Sequence, residues 1–409
     1  MEWSAEQDNA LKEVASWLVR ADRPIFRLFG YAGTGKTTLA RHFAADCEGR
    51  VVFTAFTGKA AHVLQQKGCE GASTIHSLIY LPKDKSKARL QQLEEELEQA
   101  RREQEADPID GRLQHLSFLE REVELERQNL ARPAFQLNLD SSIRDATLVI
   151  VDECSMVDGR IGEDLLSFDV PILVLGDPAQ LPPIGGGGFF TEHKPDIMLE
   201  QIHRQAADNP IIRLATDTRL QRPLGMGEYG DSLVCSRADL HGMTELLKAD
   251  QVLVGKNATR HTINGLLREA LGFPSSGGPC VQDKLVCLRN NHDLGLLNGS
   301  LWEVHDTGEL EEDKIMLEIA SLDRPDCASF AVEAHSQPFQ GQSIQLDWWE
   351  KKEAEEFDYG YAMTVHKAQG SQWDNVLLVD ESRVFRNDKW RWLYTGITRA
   401  AENITIVRD

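Results

Sequence analysis

The stretch LFGYAGTGKTTLA, residues 28–40, constrains the fold more than any other part of the chain. It fits G-x-x-x-x-G-K-[ST], with Gly30, Gly35, Lys36 and Thr37 in the fixed places. Such a loop needs a buried strand before it and a helix after it. PIFRLFG (24–30) reads as that strand and KTTLARHFAADC (36–47) as that helix. VVFTAF (51–56), ATLVIVDE (146–153) and PILVLGD (171–177) are further short apolar runs. Runs of this length alternating with helical segments predict a parallel sheet covered on both faces.

The loop specifies chemistry as well as fold. Its glycines free backbone N–H groups to close around phosphate oxygens at a helix N-terminus. Gly30, Gly33, Thr34, Gly35, Lys36, Thr37 and Thr38 are the expected phosphate contacts, with Lys36 reaching the β- and γ-phosphates of ATP and the Thr37 hydroxyl helping to hold Mg²⁺. LVIVDECSM (148–156) ends a strand in two acids. Asp152 suits the metal and Glu153 suits the attacking water. VLGDPAQLPPIGGGG (174–188) places Gln180 where it senses the γ-phosphate.

At 409 residues the chain exceeds one compact core, and length predicts about two to four domains. No apolar run is long enough to cross a bilayer. The start, MEWSAEQDNALKEV, lacks the basic and apolar segments of a secretory signal. Seven scattered cysteines, none in C-x-x-C spacing, argue against a disulfide framework or a zinc site. The expectation is a cytoplasmic protein without membrane contact, in a bacterium or, if phage-encoded, in its host. A net charge of −21 taken alone argues against a nucleic-acid partner, unless positive charge is confined to one groove or a strand is gripped by hydroxyls, backbone amides and aromatic stacking.

The motifs form a collinear series that resembles superfamily one helicases of the 5′→3′ group, specifically RecD-like enzymes and the phage Dda helicase. TAFTGKAA (54–61) and STIHSLIY (73–80) resemble its strand-binding motifs, and DECSM and GDPAQLPPIGGG the next two. QIHRQ (201–205) is similar to the motif with a phosphate-sensing arginine, here Arg204. LLNGSLWEV (296–304) resembles part of a small β-barrel. YAMTVHKAQGSQWDNVLLV (361–379) and YTGITRA (394–400) look like the last two motifs, with Arg399 as arginine finger. Gln7 takes the place that holds the adenine base, and Gly370 joins the nucleotide contacts. Gln372 stands where relatives often carry Glu, which leaves the ribose contact open.

The resemblance implies an α/β fold of two RecA-like parallel-sheet motor domains. A helical hairpin is inserted in the first and a small β-barrel in the second. The expected divisions are 1–82, 136–190 for the first motor domain, 83–135 for the hairpin, 191–280 and 359–409 for the second motor domain, and 281–358 for the barrel. It also implies single-stranded DNA and single-strand/duplex junctions as partners, and a monomer. Thr54, Lys59, Thr74 and His76 in the first half, and Thr364, His366 and Lys367 in the second, match strand-binding positions. Hydroxyls and a few cations suit backbone recognition. The residues alone leave a DNA helicase, an RNA helicase or protein-stripping translocase, and an ATP-regulated switch open. Six tryptophans, Trp302, Trp348, Trp349, Trp373, Trp390 and Trp392, read mainly as packing residues.

Residues 87–132 have their own pattern. Leu90, Leu93, Leu97 and Ala100, then Leu116, Leu119 and Val123 with Leu130 a heptad on, fall at helical spacing on either side of ADPIDG (106–111). This predicts two antiparallel helices of roughly 20 residues, about 30 Å long, sharing a narrow seam. Residues 83–132 hold 10 Lys/Arg against 13 Asp/Glu, which favours a steric wedge or protein-docking arm over an electrostatic clamp.

Overall fold

A computed structural model of the chain describes residues 3–83, 88–106, 110–131, 134–183, 188–201, 209–239, 242–274, 278–291, 293–311, 313–342, 344, 346 and 348–408. In the first half, strands β1 (Ile25–Gly30), β2 (Val51–Ala55) and β3 (Ser73–Thr74) precede a ribbon of β4 (Tyr80–Lys83) and β5 (Ala134–Leu137). Then come β6 (Leu148–Asp152), β7 (Ile172–Gly176) and β8 (Ile197–Leu199). All but the ribbon make one parallel sheet in the order β3–β2–β6–β7–β1–β8. Leu148, Val149, Ile150 and Val151 are all fully buried, as strands sandwiched between helices require. Helices α1 (Ala5–Arg20), α2 (Lys36–Asp46) and α3 (Gly58–Gln66) supply one cover, with Val14, Trp17, Phe26 and Leu39 in its core. Helices α4 (Ile75–Ile79) and Gly159–Leu166 supply the other, through Ile75, Ile161 and Leu165. The expected division at 190 is corrected by β8. Leu28, Phe29 and Gly30 take Ile197, Met198 and Leu199 as parallel partners, so the first sheet runs past it.

The predicted arm stands on the β4–β5 ribbon. Helices α5 (Ala88–Ala106) and α6 (Asp110–Ala131) bury Leu93, Leu97 and Ala100 against Leu119 and Val123, flanked by Leu90 and Leu116. Arg101 pairs with Glu120 at 2.8 Å and Arg127 with Glu94 at 2.7 Å, which fixes an antiparallel register. The side chain of Leu130 lies outside the described residues.

In the second half, β9 (Gly227–Tyr229), β10 (Ser232–Ser236) and β11 (Gln251–Val254) are followed by β12 (Lys284–Cys287), β13 (Leu301–Glu311), β14 (Lys314–Ser321), β15 (Phe330–His335) and β16 (Phe357–Tyr359). β17 (Ala362–Thr364), β18 (Trp373–Val379) and β19 (Ala400–Arg408) complete it. The second sheet has the order β17–β11–β18–β19–β10–β9, parallel except for the antiparallel edge pair β9–β10. β12 to β16 form an antiparallel sheet, ordered β15–β14–β13–β12–β16. A bridge from Ala334 on β15 to Glu355, just before β16, curls it shut around Leu285, Trp302, Val304, Ile319 and Phe357. The barrel thus runs one residue past its expected limit at 358. Trp302 is barrel core and Trp392 motor core, each fully buried.

The arm's seam shares no residue with the cores of the sheets or the barrel. Replacing residues 87–132 by a short Gly-Ser link should therefore shift the thermal midpoint of the motor core by less than about 4 °C in a calorimetric scan. A larger fall would show that the arm braces the first sheet.

Candidate nucleotide cleft and strand groove

The loop from Gly30 to Thr37 leaves the carboxyl end of β1, where ligands of open α/β sheets sit. Gly33 and Gly35 adopt left-handed φ values of 80° and 82°. A Cβ on Gly30 would lie 2.6 Å from the Thr34 hydroxyl oxygen and 2.9 Å from Leu199 Cβ, so only glycine fits there. No side chain caps α2 at Gly35, which leaves its first amides available to an anion. Lys36 Nζ donates to the Gly30 and Tyr31 carbonyls at 2.6 and 3.1 Å, bridging the loop's mouth.

Asp152, at the end of β6, accepts from the Thr37 hydroxyl at 3.1 Å and from the Glu153 amide at 2.8 Å. Burial, then the neighbouring Glu153 charge, pushes its carboxyl above the usual range. Burial does the same to Asp177 after β7. Carboxylates disfavoured as anions mark a site that favours a cation. Asp152 with the Thr37 hydroxyl gives the hard oxygen donors that Mg²⁺ takes alongside phosphates and water. Glu153 has φ 51° and ψ 42°, a conformation non-glycine residues adopt at a cost and one that clusters at functional sites.

Both halves line the cleft, a cavity of about 330 Å³. The first half supplies Gly33, Gly35, Lys36, Thr37, Thr38, Asp152, Glu153 and Gln180, with Ala60, Val63, Leu64 and Lys67 from α3 and the residue beyond it. The second supplies Gly370, Ser371, Gln372, Thr398 and Arg399. Gly370, at φ 78°, presses so close that an added Cβ would lie 2.9 Å from Ala60 Cβ. Gln180 Oε1 is buried without a hydrogen-bond partner among the described residues. The Arg399 guanidinium is held within its own half, by the Thr395 carbonyl at 3.1 Å, the Ser371 carbonyl at 3.2 Å and the Thr398 hydroxyl at 3.1 Å. Gln372 donates to the Ala400 carbonyl at 3.5 Å. Arg204 lies outside the described residues.

Gln7 is drawn to the loop but not to the cleft's lining. Its Oε1 accepts from the Ser4 amide at 3.0 Å in a capping box, and its Nε2 donates to the Thr34 carbonyl at 3.0 Å. With one bond accepted and one donated, these contacts use one lone pair and one N–H of the amide.

The strand-binding positions divide. Thr54 is fully buried and donates to the Ser73 carbonyl at 2.9 Å, which removes it from any surface; it pins β2 to β3. Lys59 forms an ion pair with Asp323 in the barrel and is not free as placed. The Thr74 hydroxyl caps α4 by accepting from the Ser77 amide at 3.1 Å. His76 packs among Phe56, Tyr80 and Phe135, with ring centroids 5.6 to 6.1 Å away. His366 lies 5.3 Å from the Phe385 ring. Burial lowers the pKa of both histidines, which favours their neutral rings. Thr364 accepts from the Lys367 amide at 3.4 Å, and burial pushes Lys367 down to about 8.

Tyr394, Asp177 and Thr395 all sit inside the quoted motifs, yet no motif position singles them out. Tyr394 donates to Asp177 at 2.6 Å and accepts from the Ala32 amide at 3.0 Å. Thr395 Oγ1 accepts from the Leu181 amide at 3.0 Å. The one available signal was that strand-end polar residues and a Tyr-Thr pair occupy otherwise apolar segments.

This geometry separates two variants. Lys36→Ala removes the loop's cation and should abolish detectable nucleotide binding. Glu153→Gln should keep nucleotide affinity within about threefold while hydrolysis falls by roughly 10²-fold or more. Titration with a fluorescent nucleotide beside a phosphate-release assay reads both, and lost affinity in the Glu153 variant would make that residue a binding group.

A family model described as an AAA domain matches residues 2–232, more than half of the chain, and one described as a UvrD-like helicase C-terminal domain matches 359–407. The ATP-dependent RecD2 DNA helicase of Deinococcus radiodurans is 26% identical over 428 residues, covering 98% of this chain and 48% of that protein. The chain thus spans about half the length of that relative. A solved structure of two coordinating Pif1 helicases at forked duplex DNA is similar with a TM-score of 0.53 and 18% identity, covering 99% of this chain and 92% of that one. Bacteroides Pif1 in complex with ADP-AlF3 and single-stranded DNA is similar with a TM-score of 0.50 and 16% identity, at the same coverages. At these identities the two structures speak for the fold. At its end the chain is similar to a UvrD-like helicase C-terminal domain, and by the model that matches more than half of it the chain belongs to the AAA-domain family of P-loop proteins.

Proposed function

We propose that the chain is an ATP-driven, magnesium-dependent motor that moves 5′→3′ on single-stranded DNA and separates the duplex ahead of it. The observation that carries this reading is the double use of α3. Ala60, Val63 and Leu64 line the nucleotide cleft, and Lys59 in the same helix belongs to the strand-binding motif. A change in the cleft therefore acts on the strand through one rigid element. The Bacteroides Pif1 complex, with ADP-AlF3 and single-stranded DNA together, supports such a pairing in this fold.

In this reading Lys36 and the loop amides hold the phosphates. Thr37 and Asp152 would hold Mg²⁺, which would supply charge neutralisation at the phosphates. Glu153 orients the attacking water. Arg399 exchanges its bonds to Thr395, Ser371 and Thr398 for the γ-phosphate as the halves close, and Arg204 joins it by motif. An arginine so placed is worth roughly 10³–10⁵ in rate. The arm and its ribbon are the strand separator. Leu81 and Phe135 on the ribbon are exposed, and Phe135 touches His76 of the strand-binding motif.

Duplexes with a 5′ tail, a 3′ tail or no tail, in DNA and in RNA, test the reading with ATP and Mg²⁺. Opening of the 5′-tailed DNA alone is expected, and the variant lacking residues 87–132 should hydrolyse ATP yet open it at least tenfold more slowly. Opening of the 3′-tailed substrate alone would refute the polarity, preference for RNA would refute the substrate, and full unwinding without the arm would leave it a docking site for another protein.

Lys367 gives a pH signature. Half-buried, with its pKa lowered to about 8, it is charged at pH 7 and largely neutral at pH 9. Affinity for a single strand should fall as pH rises through about 8, and Lys367→Arg should flatten that fall because guanidinium stays charged. Fluorescence anisotropy of a labelled oligonucleotide provides the measurement, and an unchanged pH profile in the Arg variant would exclude Lys367 as the phosphate contact.

A further inference from the structure

The seam between the two motor halves contains polar groups that the proposed chemistry does not use. Tyr394 is almost fully buried, on the helix Lys389–Ile397 of the second half. Its hydroxyl donates to Asp177 Oδ2 at 2.6 Å and accepts from the Ala32 amide at 3.0 Å. Ala32 belongs to the phosphate loop, and Asp177 begins the turn that carries Gln180. That turn is held twice more from across the seam: the Leu181 amide donates to Thr395 Oγ1 at 3.0 Å, and Gln369 Nε2 donates to the Leu181 carbonyl at 3.1 Å. The Thr395 carbonyl in turn accepts from Arg399 Nε at 3.1 Å.

One phenol thus joins three parts that must move in step. It touches the phosphate loop, it touches the turn bearing Gln180, and it rides on the helix whose end carries Arg399. We infer that Tyr394 is a positioning residue that ties the phosphate loop and the Asp177–Leu181 turn to the arginine-bearing helix, so that a strand gripped by the second half sets the rate of ATP turnover. This rests on the motor reading above. Bulk is not what the geometry uses here, since phenylalanine would fill the same space. The specific part is the hydroxyl, which pairs a buried carboxylate and a backbone amide at once. Removing it takes this donor from Asp177 Oδ2 and this acceptor from the Ala32 amide inside the seam, where unsatisfied polar groups are costly. Asp177 also accepts from the Ala179 amide at 3.0 Å, so the strain falls on the turn next to Gln180.

Tyr394→Phe tests this in the full chain. ATP turnover is measured with and without a single-stranded oligonucleotide, together with KM for ATP and the thermal midpoint. The expected result is a drop of roughly tenfold or more in oligonucleotide-stimulated kcat, with KM for ATP within about twofold and the midpoint lowered by no more than about 4 °C. The double variant Tyr394→Phe/Asp177→Asn provides a cycle. If Asp177 acts through Tyr394, the double variant is no slower than the slower single variant. Stimulation of Tyr394→Phe by the same factor as the native chain would overturn the inference. So would parallel losses in KM and midpoint, which would make Tyr394 a packing residue, or fully additive losses in the cycle. A native chain that no oligonucleotide stimulates would overturn the motor reading itself, and the inference with it.

Discussion

The structure depends on the contact of the second half's backbone with α3. Gly370 sits against Ala60 and Thr57 at distances that leave no room for a side chain carbon. A phosphate loop alone can bind a nucleotide, but it has no cation to set against charge that develops beyond Lys36 and the metal. In the proposed motor that cation comes from elsewhere in the chain. The Gly370 contact brings the segment Gly370–Gln372, and with it Arg399, to the rim of the loop. A larger residue at 370 would hold the halves apart and leave Arg399 away from the nucleotide.

The same contact makes α3 a shared wall. Toward its end the helix lines the cleft; at its start Lys59 meets Asp323 of the barrel, and Gly58 packs against Leu297 and Asn290. The barrel is therefore more than an appendage of the second half, since it rests on the element that carries a strand-binding motif. Asp323 occupies Lys59 much as a phosphate oxygen would. Burial also raises the carboxyls of Asp152 and Asp177, against the lowering effect of the Lys36 charge on each.

Much of this was legible in the chain. The phosphate loop and the acids after β6 announce themselves because fixed spacing and a fully apolar strand leave few alternatives. The arm was legible for a similar reason: leucines at helical spacing around a Pro and a Gly define a hairpin, and Arg101–Glu120 and Arg127–Glu94 then fix its register. Thr54 misled because a hydroxyl at a strand end reads the same whether it faces solvent or ties two strands together. The partner of Lys59 was hidden, since Asp323 lies in a barrel loop with no local pattern. Strand β8 is only three residues long and escaped notice for lack of periodicity. The Tyr394–Asp177 bond joins residues 217 positions apart and exists only once two independently formed sheets dock. No local rule predicts such a pair.

The central claim is that nucleotide and strand share α3 and so bind as linked events. The most direct test is the affinity of the chain for a fluorescent single-stranded oligonucleotide, measured with no nucleotide, with ADP, and with a non-hydrolysable ATP analogue, at fixed salt. The account predicts that affinity differs between these states by at least about fivefold, and that the oligonucleotide shifts analogue affinity by the same factor, as linkage demands. Identical strand affinity in all three states would contradict it.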